Sequence, residues 1–282
     1  MKSSQRAAQL AVVVVLAGTT LVVAESRKEF HFKVGRHASV SVMNQYGPIT
    51  VKPSTGKMVD VTAILYSDKA EVDHSQSGDR VEIQSHLLPG ADADSGRVDY
   101  EIQVPVGASI TLRSTTGSLH AEKLQGDVTV EGANADVDVR EISDAHVHIK
   151  TLNGPVTLTN IRDGHVEITS VSGDVVMNSV NGPLVQVNSN SGKIRYDGEF
   201  GGGGEYYLTS HTGDIEAMAP SYASIDVIAR SEHGTVDNDF QLNPRHTSFP
   251  IKAGSAFAGT VGKAASSVKL LSFSGKIHLK KR

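Results

Sequence analysis

One hydrophobic pattern recurs along the chain at a nearly constant spacing. Each copy has Ser or Thr, two further residues, Gly, one residue, and then two apolar residues separated by one position, as from Ser170 to Met177. The first apolar residue of successive copies is Leu119, Val137, Val156, Val175, Ile194, Ile215 and Val236. From one copy to the next the numbering advances by 18, 19, 19, 19, 21 and 21. A nearly fixed period of this length indicates a repeat architecture.

A second apolar series runs out of phase with the first. Its members are Val128, Val147, Val166, Val185, Tyr206 and Ile225, and their spacing follows the same period. Two series with one period mean that each unit contains two short strands and two turns, and the alternation within each strand predicts which side chains point inward. The sequence therefore predicts an all-β protein, a β-solenoid with coils of about 19 residues and two short strands per coil.

The turns between the strands carry their own signal. Asn-Gly, Ser-Gly and Thr-Gly pairs supply glycines that we expect to adopt a positive φ, and the preceding Ser or Thr hydroxyl can bond the local backbone. The same pairs are common in β-hairpins, so an antiparallel meander is the rival interpretation. The solenoid is favoured because hairpins do not require a constant spacing of about 19 residues.

The pattern divides the chain into four parts. Residues 1–24 read as a signal peptide, because Lys2 and Arg6 precede an apolar run that ends in Val-Val-Ala at Ala24. Residues 25–105 have longer alternating strands and are expected to form a β-sheet region that caps the solenoid. Residues 106–239 are the repeats, and residues 240–282 are expected to form an irregular loop and a final coil from Val268 to Leu279. The four glycines from 201 to 204 read as an insertion at a corner.

Composition and charge narrow the possible partners. The chain has 27 basic and 31 acidic residues and no cysteine. Removal of residues 1–24 takes away Lys2 and Arg6 and no acidic residue, which makes the formal charge more negative and argues against nucleic-acid binding. No later segment is apolar for long enough to span a membrane. We therefore expect a protein that is secreted, periplasmic or attached to the cell envelope after cleavage near Ala24, with no cofactor.

The motifs resemble those of a known family. The Ser/Thr-x-x-Gly-x-Val/Ile pattern, the strand from Val98 to Pro105 that leads into Ile110, and the closing segment from Ser272 to Ile277 look like the bacterial putative-adhesin family of unknown function. The resemblance covers about residues 30 to 279. It implies an exported β-solenoid protein and brings no catalytic residues with it.

Stacked coils place outward side chains in columns, and one face collects histidines. A first column holds Asp127, His146 and His165, and the column beside it holds His148 and Glu167. Imidazoles and carboxylates together can bind Zn²⁺, so this group is a candidate metal or pH-responsive patch. The favoured interpretation is a solvated polar face in which each His pairs with a carboxylate.

Two functional classes follow from these observations. The first is a non-enzymatic, adhesin-like envelope protein that presents flat solenoid faces to a protein or a glycan. The alternative is a carbohydrate-active enzyme, a polysaccharide lyase or hydrolase. No two carboxylates can be singled out as a catalytic pair, because many pairs fit the required spacing equally well. Asp92 and Asp94 lack the Glu that would complete a calcium loop. The first class is favoured, with an envelope protein or a glycan as the partner.

Overall fold

The computed structural model describes residues 25–246 and 252–282. The predicted signal peptide, residues 1–24, and the loop residues 247–251 lie outside this range. The described residues contain no helix and form an all-β structure, and 23 strands join in one sheet that does not close on itself. The all-β prediction is confirmed.

The N-terminal part contributes the strands that precede the repeats. They are β1 Ser26–Lys33, β2 Ser39–Tyr46, β3 Ile49–Ser54, β4 Met58–Leu65, β5 Ala70–Ser77, β6 Arg80–Leu87 and β7 Val98–Pro105.

The remaining strands include all of those predicted from the repeat. They are β8 Ser109–Glu122, β9 Val128–Arg140, β10 His146–Thr151, β11 Val156–Ile161, β12 His165–Ser170, β13 Val175–Val180, β14 Leu184–Ser189, β15 Ile194–Asp197, β16 Glu205–Ser210, β17 Ile215–Ala219, β18 Ile225–Ser231, β19 Val236–Asn238, β20 Asn243–Pro244, β21 Ala256–Val261, β22 Ser266–Ser272 and β23 Ile277–Lys281.

The repeat strands pair in parallel along two faces. On the first face, β10 pairs with β12 so that Val147 lies beside Val166, the equivalent position of the next repeat. On the second face, β11 pairs with β13 so that Val156 lies beside Val175, which is again the equivalent position of the next repeat. The long strands β8 and β9 run through the corner between the faces and belong to both. An antiparallel meander is therefore wrong for the repeats.

The inward positions of both faces form one thin hydrophobic core. Val147 and Val166 are 1% and 0% exposed, and Val156 and Val175 are both 0% exposed. Buried and exposed positions alternate strictly along β12, where His165, Glu167 and Thr169 point outward. Branched side chains fill such a narrow interior, because the rows of side chains from the two faces of the sheet must interlock.

The glycines of the Ser/Thr-x-x-Gly segments lie at one corner of the stack, and most of them lack the positive φ that the sequence predicts. Gly117 has a φ of +117°, but Gly154, Gly173 and Gly192 are not left-handed. These positions have no room for a side chain. A Cβ on Gly173 would lie 1.9 Å from the carbonyl oxygen of Gly154, and a Cβ on Gly192 would lie 2.1 Å from the carbonyl oxygen of Gly173. Glycine is therefore needed because successive coils approach closely at this corner.

The C-terminal segment occupies a different place from the one predicted. Strand β22 lies between β16 and β18, so Val268 pairs with Tyr206 on one side and with Val227 on the other. The sequence spacing instead suggests that Tyr206 and Ile225 are direct neighbours, which is wrong. On the second face β23 separates β17 from β19 in the same way. The final coil is therefore inserted into the stack.

The segment before that coil is only partly irregular. The sequence predicts a loop over residues 240–267, but β21 pairs antiparallel with both β18 and β20. Ala256 and Ala258 are buried under this pairing. A segment rich in Gly, Ala and Ser gives little strand signal, because its small side chains supply no apolar alternation.

The N-terminal strands join the repeats in two ways. Strands β2 and β3 pair in parallel with the two halves of β8, and β6 and β7 extend the same two faces by one further layer. Strands β1, β4 and β5 pair antiparallel with their neighbours. Parallel stacking therefore begins before the recognisable repeat.

Candidate binding surfaces

The predicted histidine face exists and is divided into pairs. His146 lies beside His165 in the strand register, with ring centroids 4.9 Å apart at an interplanar angle of 82°. The Nδ1 atom of His146 lies 3.3 Å from Oδ1 of Asp127, and Nδ1 of His148 lies 3.3 Å from Oε2 of Glu167. The sequence therefore placed these side chains correctly in two neighbouring columns.

Pairing leaves these side chains poorly arranged as metal ligands. The backbone N–H of His146 also donates to Oδ1 of Asp127, at 2.9 Å, so that one oxygen serves both groups. Across residues 25–246 and 252–282, no cluster of three or more His, Asp or Glu side chains has a geometry that could hold a metal ion. A Zn²⁺ site needs about four ligands converging on one point.

The second face carries a ladder of opposite charges. Nζ of Lys280 donates to Oε2 of Glu216 at 2.8 Å, and Nε of Arg195 lies 3.8 Å from Oε1 of the same carboxylate. The hydrogen bond from Lys280 is the main reason that the pKa of Glu216 is lowered. Asp174 accepts a hydrogen bond from the backbone of Lys193 one coil away, at 2.8 Å. These contacts tie neighbouring coils together.

The loop acids Asp92 and Asp94 serve a turn. Oδ1 of Asp92 accepts hydrogen bonds from the backbone N–H of Asp94 at 3.2 Å, the backbone N–H of Ser95 at 2.8 Å and the Ser95 hydroxyl at 2.7 Å. The bond from the Ser95 side chain is the largest cause of the lowered pKa of Asp92. This carboxylate is therefore used within its own loop.

The corner formed by the Ser/Thr-x-x-Gly segments presents a continuous row of side chains, which we call the corner row. Backbone hydrogen bonds link each segment to the next; for example, the N–H of Ser172 donates to the carbonyl of Leu152 at 2.8 Å. In spatial order the row contains Ala133, Leu152, Val171, Asn190, His211, Phe273 and Glu232. Seven positions at a strand spacing of about 4.8 Å give a length of about 29 Å.

The local fold fixes the row in place. The buried hydroxyl of Ser170 donates to the carbonyl of Gly173 at 2.7 Å, and Ser189 does the same to Gly192 at 2.9 Å. These bonds close each turn and point the two intervening side chains outward. Leu152 is 52% exposed as a consequence.

Apolar and aromatic side chains occupy two parts of the corner row. Leu152 and Val171 are neighbours in one part and are 52% and 42% exposed. In the other part the Phe273 ring stacks on His211 with centroids 4.8 Å apart at 10°, and its edge meets His233 at 4.8 Å. Exposed apolar side chains that lie close together on a surface are candidates for contact with another molecule.

A groove of about 510 Å³ runs beside the apolar end of the corner row. It is lined by Met43, Asn44, Gln45, Arg113, Ser114, Thr115, Glu131, Gly132, Ala133, Lys150, Thr151, Leu152, Thr169 and Val171. Nε of Arg113 donates to Oε2 of Glu131 at 2.9 Å, which lowers the pKa of Glu131. Lys150 lies beside Glu131 in the register. The groove thus combines an apolar side with one excess positive charge.

A second cleft, of about 800 Å³, lies at the opposite corner. Its lining residues are Arg36, His37, Pro53, Ser54, Thr55, Gly56, Lys57, Pro105, Val106, Gly107, Gln125 and Asp144. It is formed by the turns that connect β1 to β2, β3 to β4 and β7 to β8, with contributions from the connections on either side of β9. Its basic residues come from parts of the chain that the repeat does not include.

The sequence does not predict either cavity. The groove depends on Met43 lying beside Arg113, which comes from a distant part of the chain, and the sequence gives no sign of that pairing. One signal was present: Leu152 and Val171 hold the same place in consecutive Ser/Thr-x-x-Gly segments, where a turn ordinarily has polar residues.

Comparison with known proteins identifies the family. The family model described as Toastrack DUF4097 matches residues 37–280. The chain belongs to this family. The match confirms the resemblance drawn from the repeat motifs, and it extends from β2 into β23, the last strand of the inserted coil.

Two solved structures are similar to this chain at low sequence identity. A putative cell adhesion protein from Clostridium sporogenes is 14% identical with a TM-score of 0.30, and the alignment covers 91% of this chain and 100% of that one. A putative adhesin from Bacteroides fragilis is 10% identical with a TM-score of 0.40, over 92% and 99% of the two chains. No curated protein matches the chain.

The described residues provide no helical membrane anchor. Nowhere in residues 25–246 or 252–282 is there a helix of the length and hydropathy that crossing a bilayer requires.

Proposed function

We propose that the protein is an exported, non-enzymatic, adhesin-like binding protein of the cell envelope, and that the corner row binds a partner protein. The observation that carries the proposal is the exposure of three large apolar side chains along one corner, with Leu152 and Val171 as neighbours and Phe273 three positions beyond Val171. Interfaces bury aromatic and aliphatic side chains at their centre and place polar groups at the rim. The polar residues beside the row, such as Asn153 and Ser172, would supply that rim.

The dimensions of the surface favour a protein as its partner. A row about 29 Å long suits the span of a standard protein interface, which buries about 800 Å² on each side. Asn153 donates to Oδ1 of Asn134 at 2.7 Å and accepts from Ser172 at 2.8 Å, so the polar side chains beside the row are held in fixed orientations. A partner that meets a prearranged surface loses less conformational entropy on binding.

The proposed architecture supports this role. We interpret the stack as a β-solenoid with coils of about 19 residues, whose N-terminal end is capped within residues 25–105 by β1, β4 and β5. Strand β5 lies at an edge of the sheet and is mostly exposed and polar, which discourages uncontrolled strand addition. Partner binding would then be directed to the corners and faces.

The chemistry of the cavities favours binding over hydrolysis. Glycoside hydrolysis uses two carboxyl groups placed on either side of the scissile bond. Within the described residues, the lining of each of the two large cavities includes one carboxylate, Glu131 in the groove and Asp144 in the cleft. Glu131 is already held by Arg113.

The binding proposal is tested with matched surface variants. Protein comprising residues 25–282 is immobilised, exposed to cell-envelope proteins, and compared with L152S/V171S and with Y222S. Tyr222 is 73% exposed and lies outside the corner row, so it is the control for loss of an exposed large side chain. We expect wild type and Y222S to retain the same partner and the double variant to bind it at least tenfold more weakly. Equal binding by all three proteins would contradict the proposal.

Export is tested separately. N-terminal sequencing of protein recovered from the envelope or the medium is expected to begin at Glu25. Recovery of full-length protein from the cytoplasm alone would contradict export.

A further inference from the structure

The cleft at the opposite corner has a shape fixed by its own turns. The N–H of Val34 donates to the carbonyl of Lys57 at 3.0 Å, and the N–H of Gln125 donates to the carbonyl of Val106 at 2.7 Å. These bonds connect turns that are distant in sequence and hold both walls of the cleft. The 800 Å³ cavity is within the range of sites that hold molecules of a few rings.

Basic side chains of the cleft lack charged partners. Arg36, His37 and Lys57 are exposed, line the cleft, and form no ion pair with any of the described residues. Most other arginines of residues 25–246 and 252–282 do form ion pairs, as Arg113 and Arg140 do. Against Arg36 and Lys57 the lining carries one carboxylate, that of Asp144. The remaining excess of one positive charge in a net-negative chain favours an anionic group in this cleft.

The remaining lining suits a sugar better than a peptide. Pro53 and Val106 provide apolar surface, and Val106 is 40% exposed. Thr55 and Gln125 provide hydroxyl and amide groups. Peptides usually bind by adding to a free strand edge through backbone hydrogen bonds, whereas this cleft is built from turns with backbone groups already bonded to one another.

We propose that this cleft binds a short oligosaccharide bearing carboxylates, such as a chain of uronic acids. Arg36 and Lys57 would pair with the carboxylates, because charge-assisted hydrogen bonds to a guanidinium are the strongest available here. Thr55 and Gln125 would bond ring hydroxyls, and Val106 with Pro53 would contact the apolar ring faces. The proposal does not depend on the protein partner of the corner row.

The probe is a trimer of galacturonic acid, measured by calorimetry against protein comprising residues 25–282. Its fully methyl-esterified form is the matched ligand control, since it keeps the rings and removes the charges. R36Q/K57Q tests the cleft, and R162Q is the matched protein control, because Arg162 is an exposed arginine outside the cleft that forms no ion pair with the described residues.

We expect the acidic trimer to bind with a Kd below about 1 mM, and the affinity to decrease as ionic strength rises. The ester and R36Q/K57Q should each reduce affinity at least tenfold, while R162Q and L152S/V171S should change it less than twofold. Absence of binding, equal binding of the ester, or an equal loss in R162Q would overturn the proposal. Equal competition by triglutamate would show a peptide site, and by inorganic phosphate a simple anion site; either result also overturns it.

Discussion

Replacing Gly173 by Ala adds one methyl group at the closest approach between two coils. The new Cβ would lie 1.9 Å from the carbonyl oxygen and 2.6 Å from the carbonyl carbon of Gly154, whereas an ordinary contact is 3.4–4 Å. The obstructing atoms belong to the backbone, so no side-chain rotation can relieve the overlap. The coils must separate locally against the hydrogen bonds on both sides.

Three contributions determine how much G173A lowers the free energy of unfolding. Overpacking against rigid surroundings costs about 1–3 kcal/mol, and weakening one interstrand hydrogen bond costs about 1 kcal/mol more. Replacing Gly restricts the unfolded chain and offsets about 0.4–1 kcal/mol of this. We therefore expect G173A to lower the free energy of unfolding by about 2 kcal/mol.

The assay is urea unfolding of residues 25–282, followed by circular dichroism. With a slope of about 3 kcal/mol per molar urea, the midpoint should fall by about 0.7 M. G202A is the control, because a Cβ on Gly202 meets nothing within 4 Å and the residue is not left-handed; its midpoint should stay the same or rise slightly. Equal midpoints for the two variants would refute close coil contact as the reason for glycine at this corner.

Three further predictions concern a core position, an ion pair and the histidine face. V166D puts a carboxyl group at a position that is 0% exposed, and it should lower the free energy of unfolding by about 4 kcal/mol. In the same urea assay, the variant E167Q at the exposed neighbouring position should change the free energy of unfolding by less than about 0.5 kcal/mol. Because the pKa of Glu216 is lowered in the folded state, its ion pair stabilises fully above the unfolded pKa of about 4.3 and loses its effect as the pH falls through the native value. E216Q should therefore be about 0.5–1 kcal/mol less stable than wild type at pH 7. The difference should shrink as the pH falls below the unfolded pKa, and a constant difference would contradict this. Calorimetric titration with Zn²⁺ should show no saturable binding below about 1 mM, and H146A/H165A should behave like wild type; saturable binding that this variant abolishes would restore the metal site.

The sequence predicted the repeats because inward positions must be apolar at every coil. Val147, Val166 and Val185 recur at a constant spacing, and the parallel register follows that spacing directly. The histidine columns were predictable for the same reason, since outward residues inherit the register of their inward neighbours.

Contacts between distant segments were not predictable. The pairing of Val40 with Ile110 leaves no periodic signal, because several other strands and loops separate the two residues along the chain. Strand β22 lies between β16 and β18 in the sheet, although it follows both of them in the sequence. A constant step between repeats predicts this position only when neighbouring strands follow one another along the chain. Both cavities are lined in part by residues 25–105, which the repeat does not include. No sequence motif therefore indicated that Met43 or Arg36 lines a cavity.

The central claim is that outward neighbours lie one coil apart, because both proposed surfaces depend on that stacking. The chain has no cysteine, so pairs can be introduced without background. Glu167 lies beside Gln186 in the parallel register, whereas a hairpin with its turn at Ser172 and Gly173 would place Glu167 beside Asn178. Cα atoms of paired positions fall within the distance that a disulfide spans.

The decisive measurement is oxidative cross-linking of E167C/Q186C and E167C/N178C, with the disulfide identified by mass spectrometry of the digested protein. Parallel stacking predicts rapid and nearly complete cross-linking of E167C/Q186C and none within monomers of E167C/N178C. The reverse result would contradict the stacked coils and, with them, the corner row.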